Sequence, residues 1–280
     1  MRIAILGGTG YIGSRLCSSL SIEGHEIICI SRKLKNINIQ HLDRFQFIEY
    51  DIFNNSTDIN LFDYFNKPDI VIDAAWSNLD DYSSDLHIEK TLKAHYESID
   101  NLISNGLQNL TILGTCAEYG LQEGELNEKV ETFPLTNYAK AKDIYRKKVF
   151  KLKDINKFKL QWPRLFYFYG LNQPRNAIFS QLMSSNHGTF NMSFGEQVRD
   201  YLPIDKLIAY LCKIATSEYE IGIINVCSGD SLSLKETVDR WVQTYNLSVD
   251  INLCFYDYSD YEPFSFWGSV SKLKQYNIYE

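Results

Sequence analysis

No stretch of this chain reaches the roughly 18 consecutive apolar residues that a membrane-spanning helix needs. The N-terminus, MRIAIL, opens directly on a strand-like run and shows no basic region, apolar region and cleavage site of a secretory leader. The six cysteines (Cys17, Cys29, Cys116, Cys212, Cys227 and Cys254) contain no C-x-x-C pair. The five histidines make no H-x-x-x-H set, and none joins a cysteine at zinc-like spacing. These absences predict a cytoplasmic protein with reduced core thiols, no disulfides, no metal and no membrane association.

Positive charge is also in short supply. Twenty-eight Lys and Arg against 35 Asp and Glu leave a formal charge of -7, the wrong sign for a protein that wraps a phosphate backbone, so nucleic acid is excluded as a general partner. The basic runs SRKLK (31 to 35) and YRKKVFKLK (145 to 153) are short, and the second reads as the solvated face of a helix. What is present is core: 45% of the 280 residues are hydrophobic, enough for one large domain or two modest ones.

That hydrophobic content is organised. Short apolar runs (RIAILG, HEIICIS, FQFIEYD, DIVIDAA, LTILGT, LQWPRLFY) alternate with amphipathic stretches over 11 to 22, about 88 to 105 and about 137 to 152. Alternation of this kind is the signature of a parallel sheet wrapped by helices, and the continuously apolar runs suit strands covered on both faces. The predicted fold class is therefore α/β, a Rossmann-type doubly wound parallel sheet over 1 to 165 with a smaller C-terminal lobe over 166 to 280. The segment from about 200 to 227 is expected to rejoin the first lobe, because GIINVCSG reads as another buried strand.

Between the first strand and the first helix lies LGGTGYIGS, which satisfies G-x-G-x-x-G through Gly8, Gly10 and Gly13 and extends to Gly7. Glycines here let the chain turn tightly and bring backbone N–H groups and a helix N-terminus against a pyrophosphate. Ser14 stands where a P-loop would require lysine, so that alternative is excluded. After the second strand a carboxylate would select NAD, whereas this chain has Ser31, Arg32 and Lys33. Positive charge without an acid predicts NADP(H) in preference to NAD(H), set against the reading of a basic solvated turn. Asp51 suits either the adenine edge or a turn cap.

In this order along the chain, GGTGYIG, GTCAEYG with YAKAK, RLFYFYGLNQPR, GEQVRDYLPIDKL and INVCSGDSLSLKE resemble the extended short-chain dehydrogenase/reductases. These are the NAD(P)-dependent epimerases, dehydratases and reductases of sugar nucleotides. The resemblance implies a cofactor set of Gly7, Gly10, Tyr11, Ile12, Gly13, Ser31, Arg32, Asp51 and Ala74, completed by Lys142 on the nicotinamide ribose. It implies Thr115, Tyr138 and Lys142 as catalytic residues. Thr115, Tyr167 and Arg199 would meet a nucleotide-sugar substrate, and the chain would be a homodimer.

Some of this chemistry follows from the residues themselves. Tyr138 and Lys142 lie four apart on a predicted helix and so share a face, and an ammonium near a phenol is expected to lower its pKa from about 10. Tyr138 then becomes a usable general acid or base, with the Thr115 hydroxyl orienting the reacting oxygen. Dehydratases of the family carry Asp-Glu after the threonine; Cys116 and Ala117 lack carboxylates, and Glu118 is expected to aim elsewhere.

The resulting expectation is an NADPH-dependent reductase of a nucleotide-linked keto sugar in deoxysugar or surface-polysaccharide biosynthesis. An epimerase with retained cofactor and a non-catalytic NADP-sensing module stand as alternatives. His95 and Tyr167 replace asparagines common in the family, and His95 reads as a packed or hydrogen-bonding helix residue rather than a catalyst. Arg199 suits a substrate diphosphate or an ion pair with Asp200 or a neighbour. The aromatic C-terminal YEPFSFWGSVSKLKQY suits a lid on the sugar pocket or core packing. The apolar rows Leu92, Ile99, Leu102 and Ile144, Val149, Leu152 are the expected dimer faces.

Overall fold

Among the described residues, seven strands form the path of the main sheet. They are β1 (Arg2–Leu6), β2 (Glu26–Ser31), β3 (Phe45–Glu49), β4 (Ile70–Asp73), β5 (Asn109–Ile112), β6 (Lys159–Leu165) and β7 (Gly222–Val226). The structure is a computed structural model that describes residues 1–35, 42–54, 59–258 and 260–279. Their spatial order is β3-β2-β1-β4-β5-β6-β7, with the short strand Gly114–Thr115 pairing beside β6. The order reverses between β1 and β4, which are paired in parallel from Ile3↔Ile70 to Leu6↔Asp73. Ligands of doubly wound sheets bind outside the strand C-termini at such a reversal, and both Gly7 and Ala74 follow directly from these two strands.

The chain divides into two compact units. The first comprises Met1–Glu118, Pro134–Arg164 and Ile208–Ile224; the second comprises Tyr119–Phe133, Leu165–Leu207 and Asn225–Glu280. In the first unit β1, β2, β4 and β5 bury nearly every residue, as their unbroken apolar runs require. Helix α1 (Tyr11–Ile22) buries Leu16, Cys17 and Leu20. Helix α2 (Leu92–Ser104) follows a single π-helical turn, His87–Thr91. Helix α3 (Asn137–Ile155) starts where the Thr136 side chain accepts from the Ala139 N–H at 3.2 Å, satisfying one donor that a helix start leaves orphaned.

Two expectations about apolar residues need correction. Leu92, Ile99, Leu102, Val149 and Leu152 all face the core of the first unit, and of the two rows only Ile144 is exposed, at 37%. The buried residues of these rows therefore hold the helices to their own sheet and are not themselves a dimer face. Cys254 is exposed, unlike the other five free cysteines, which are buried. No helix among the described residues is long and apolar enough to cross a membrane.

The second unit builds its core from Phe179, Leu182, Phe190, Met192, Leu234, Val238 and Trp241. Its helix Leu234–Thr244 begins with a capping box: Ser233 accepts from the Glu236 N–H, and the Glu236 carboxylate accepts from the Ser233 N–H at 2.9 Å.

Candidate active site

The glycine loop is shaped for an anion. Gly7 has φ +74°, and a Cβ there would meet Ala75 at 2.9 Å; a Cβ on Gly13 would lie 2.2 Å from the Gly7 carbonyl oxygen. Only glycine fits either place. The Gly10 N–H donates to the Gly7 carbonyl at 2.8 Å, closing the turn. Gly10 caps α1 without a side-chain hydrogen bond, so the positive end of this 12-residue helix faces the loop with no capping side chain over it. The loop is tied to the end of β2 by the Thr9 and Ser31 hydroxyls, 2.7 Å apart. Tyr11 and Ile12 are half-buried in the first turn, with the Arg15 guanidinium 3.9 Å over the Tyr11 ring. Arg32 is exposed. The residues present fit a dinucleotide pyrophosphate.

Ala74, whose N–H bonds the Leu6 carbonyl at 3.1 Å, extends β4 beside this loop. The Asp51 carboxylate accepts from the Phe53 N–H at 3.1 Å, as a turn cap does.

Thr115, Tyr138 and Lys142 come together in the first unit. Thr115 is buried, and its Oγ1 accepts from the Ala117 N–H at 3.2 Å, which leaves the hydroxyl proton to be donated. The Tyr138 phenol lies close enough for Thr115 to lower its pKa. The start of α3 is anchored by the preceding loop: Tyr138 N–H donates to the Tyr82 carbonyl at 3.0 Å, and the Asn137 amide donates to Ser83 O and Asp85 Oδ1, each at 2.8 Å. The Tyr82 ring stacks on Tyr138 with centroids 5.0 Å apart.

The expected electrostatics of the pair are reversed. Burial, and next the neighbouring Tyr82, push the Tyr138 phenol well above its ordinary value, against a smaller lowering by the Thr115 bond. The Lys142 ammonium points elsewhere: it donates to the Leu113 carbonyl at 2.9 Å and sits 3.9 Å over the Trp76 ring. Burial lowers Lys142 itself to about 8, opposed by the charges of Asp73 and Glu118.

Those two carboxylates are fully committed. Asp73 Oδ2 accepts from His95 Nδ1 at 2.8 Å and from the Tyr145 hydroxyl at 3.0 Å. Burial alone would raise Asp73, yet His95, Lys142 and Tyr145 together hold it below the usual carboxylate range. His95 thus acts as a buried hydrogen-bonding helix residue. Glu118, fully buried, accepts from Thr115 N–H (3.1 Å), Trp162 Nε1 (3.0 Å) and Arg164 Nε (2.8 Å). Gly114 makes room for it, since a Cβ there would meet Trp162 Nε1 at 2.3 Å and Glu118 Oε1 at 2.8 Å.

In the second unit, Tyr167 and Arg199 meet on one carboxylate. The Tyr167 hydroxyl donates to Glu262 Oε1 at 2.6 Å, and Arg199 Nη2 to Glu262 Oε2 at 3.1 Å. Arg199 Nη1 donates to the carbonyls of Val198 and Phe264, at 2.8 and 3.1 Å. Asp200 takes no part, because it accepts from Ser228 N–H and Oγ (2.7 Å each) and Gly229 N–H (2.9 Å). A cleft of about 560 Å³ opens beside Arg199, with Gln197, Tyr256, Tyr258 and Tyr261 on its walls. Of the C-terminal aromatics, Phe266 is buried, in keeping with core packing, and Tyr261 and Phe264 are exposed.

Residues 3–227 match the model of the NAD dependent epimerase/dehydratase family. The chain belongs to that family. The dTDP-6-deoxy-L-talose 4-dehydrogenase (NAD(+)) of Aggregatibacter actinomycetemcomitans is 25% identical over 273 residues, covering 96% of this chain and all of that protein. Among solved structures, the UDP-N-acetylglucosamine 4-epimerase from Methanobrevibacter ruminantium M1, in complex with UDP-N-acetylmuramic acid, superposes with a TM-score of 0.85 at 20% identity. It covers 98% of this chain and 91% of its own. The UDP-glucuronic acid 4-epimerase from Bacillus cereus, in complex with UDP-glucuronic acid and NAD, gives 0.83 at 21%, covering 100% and 94%. Both share the Rossmann-type α/β fold.

Trp76 and His87 carry no signal that singles them out in the sequence, yet they stand against Lys142 and Tyr138. A tryptophan directly after a strand reads as core, and only the fold brings residues 76, 87, 138 and 142 to one place.

Proposed function

We propose that the protein is an NADPH-dependent cytoplasmic reductase of a nucleotide-linked keto sugar, above all a 4-keto-6-deoxyhexose, in deoxysugar or surface-polysaccharide biosynthesis. The observation that carries this reading is the commitment of Glu118. It is the sole carboxylate between Thr115 and Tyr119, and it is locked to Trp162 and Arg164. What remains at the site is a hydroxyl pair and an ammonium, equipment to move one proton and unsuited to eliminate water. The name of the talose 4-dehydrogenase, a redox enzyme at C4 of a 6-deoxyhexose, points the same way.

Reduced nicotinamide, when bound, supplies the hydride. Tyr138 donates its Oη proton to the carbonyl oxygen, helped by a phenol that burial keeps protonated. Thr115 Oγ1 orients that oxygen. Lys142 holds the nicotinamide ribose and supplies positive charge one helical turn away. The preference for NADPH rests on Ser31 and exposed Arg32. The cleft beside Arg199 takes the nucleotide, which requires Glu262 to yield the guanidinium to the diphosphate. A homodimer belongs to this reading through the family resemblance, and light scattering at micromolar concentration tests it.

The test is a panel of nucleotide 4-keto-6-deoxy sugars with NADPH or NADH, following cofactor oxidation and product configuration by NMR. Stoichiometric oxidation of NADPH supports the reductase. Isomerised sugar without net oxidation supports the second reading, an epimerase with retained cofactor, which the names of the two structural neighbours favour.

A further inference from the structure

The Lys142 side chain is buried to 3% exposure, a demanding place for an ammonium with three protons to share. One proton goes to the Leu113 carbonyl at 2.9 Å. Asp73 and Glu118 act on it as charges, while their oxygens bond His95, Tyr145, Trp162 and Arg164. The second direct contact is the Trp76 face at 3.9 Å, and a desolvated ring face is a strong partner for a cation.

The indole is itself held rigidly. Its Nε1–H donates to His87 Nδ1 at 3.1 Å, which fixes the histidine proton on Nε2, and that nitrogen bonds the Asp81 carbonyl at 2.9 Å. His87 is fully buried and opens the π-helical turn His87–Thr91, a distortion often found at functional sites. The His95 and Tyr145 rings lie 4.9 and 6.1 Å from the indole. The Tyr138 ring packs T-shaped with the indole, centroids 6.2 Å apart, and lies 5.5 Å from His87. One plate therefore touches both members of the Tyr138–Lys142 pair.

We propose that Trp76 is a positioning residue of this site: its indole face holds the Lys142 ammonium while the ring packs T-shaped with Tyr138, and His87 locks the plate in orientation. The catalytic meaning of this arrangement rests on the proposed reductase reading; the arrangement itself does not. Without the ring, Lys142 would lose its second direct partner and the fixed spacing to Tyr138.

Two measurements on the full chain separate these layers. The protein has four tryptophans, so its indole ¹H–¹⁵N spectrum is simple, and Trp76→Phe assigns one resonance. In cofactor-free protein that resonance should shift with a midpoint near 8, the Lys142 value, and the transition should vanish in Lys142→Met. Movement that survives in Lys142→Met would belong to His87, His95 or the tyrosines, and together with a lost transition near 8 it still supports the contact. A Trp76 resonance that Lys142→Met leaves unaltered across pH 6 to 10 overturns the proposal. In turnover, Trp76→Leu should lower kcat about 3- to 30-fold, the rate equivalent of a cation–π contact. KM for the sugar nucleotide should stay within a few-fold, and Trp76→Phe, which keeps a ring face, should recover most of the loss. Equal loss in both variants, or a loss confined to KM, also overturns it. Should no keto sugar be reduced at all, the reductase reading fails while the titration still decides the Lys142–Trp76 contact.

Discussion

The Lys142 ammonium lies 3.9 Å over the Trp76 ring, and its contacts are with that ring and the Leu113 carbonyl, although Tyr138 stands one helical turn away. A lysine held in this way is strained as a charge. The fold tolerates a group that would rather be neutral, which is common where a site trades stability for chemistry.

Removing the charge should therefore stabilise the protein. In the unfolded chain the amine titrates near 10.5, and in the fold at about 8. Below pH 8 both states are protonated and the full burden of burying charge is present. Between 8 and 10.5 the unfolded state binds more protons, so this group makes stability rise with pH; above 10.5 the burden is gone. The displacement corresponds to about 3 kcal/mol at most. Lys142→Met, losing also the Leu113 bond, should gain about 1 to 3 kcal/mol at pH 7 by urea denaturation. It should also blunt the rise between pH 8 and 10. Destabilisation at pH 7 would contradict this.

The pH dependence of turnover should carry the mark of the amine and leave the phenol silent. Tyr138 is pushed upward by burial and stays protonated through the neutral range, while Lys142 loses its charge near 8. kcat/KM for keto-sugar reduction should fall above about pH 8. An activity that increases through pH 9, as a phenolate base would produce, speaks against a proton donor.

Glu118 should behave as a structural group. Glu118→Ala leaves the Arg164 guanidinium buried beside Arg146 without its carboxylate, a change of the kind that costs about 3 to 5 kcal/mol. A melting temperature within a degree or two of wild type would show that the pair is not holding the 114 to 119 turn.

The cofactor preference tests the end of β2. With Ser31 and Arg32 there and no acid, NADPH should bind more tightly than NADH by about 1 to 3 kcal/mol, and Arg32→Ala should erase most of the difference. Equal dissociation constants in the wild type, read by fluorescence titration, would contradict the preference.

Local pattern made the frame readable in advance. Apolar runs with no polar alternation gave buried parallel strands, and helix α1 spans the residues expected from the glycine loop onward. Thr115 was named through the family resemblance, whereas that Tyr138 and Lys142 share one helix was legible from their spacing of four. Where the Lys142 amine turns was not, since it depends on Leu113 and Trp76, 29 and 66 residues away along the chain, and on burial that no spacing encodes. The Glu262 carboxylate on Arg199 lies 63 residues from it and escaped notice for the same reason. The rows on α2 and α3 misled because periodicity says which residues share a face and leaves open what covers it; the sheet covers this one.

The most direct measurement is turnover of a nucleotide 4-keto-6-deoxy sugar by Tyr138→Phe, alongside its dissociation constant for NADPH. The substitution removes one hydroxyl and keeps the ring stacked on Tyr82. General acid catalysis contributes about 10²- to 10⁴-fold, so kcat should fall within that range while cofactor binding is unaltered. Turnover within a few-fold of wild type would contradict the account and leave Tyr138 as a packing residue of helix α3.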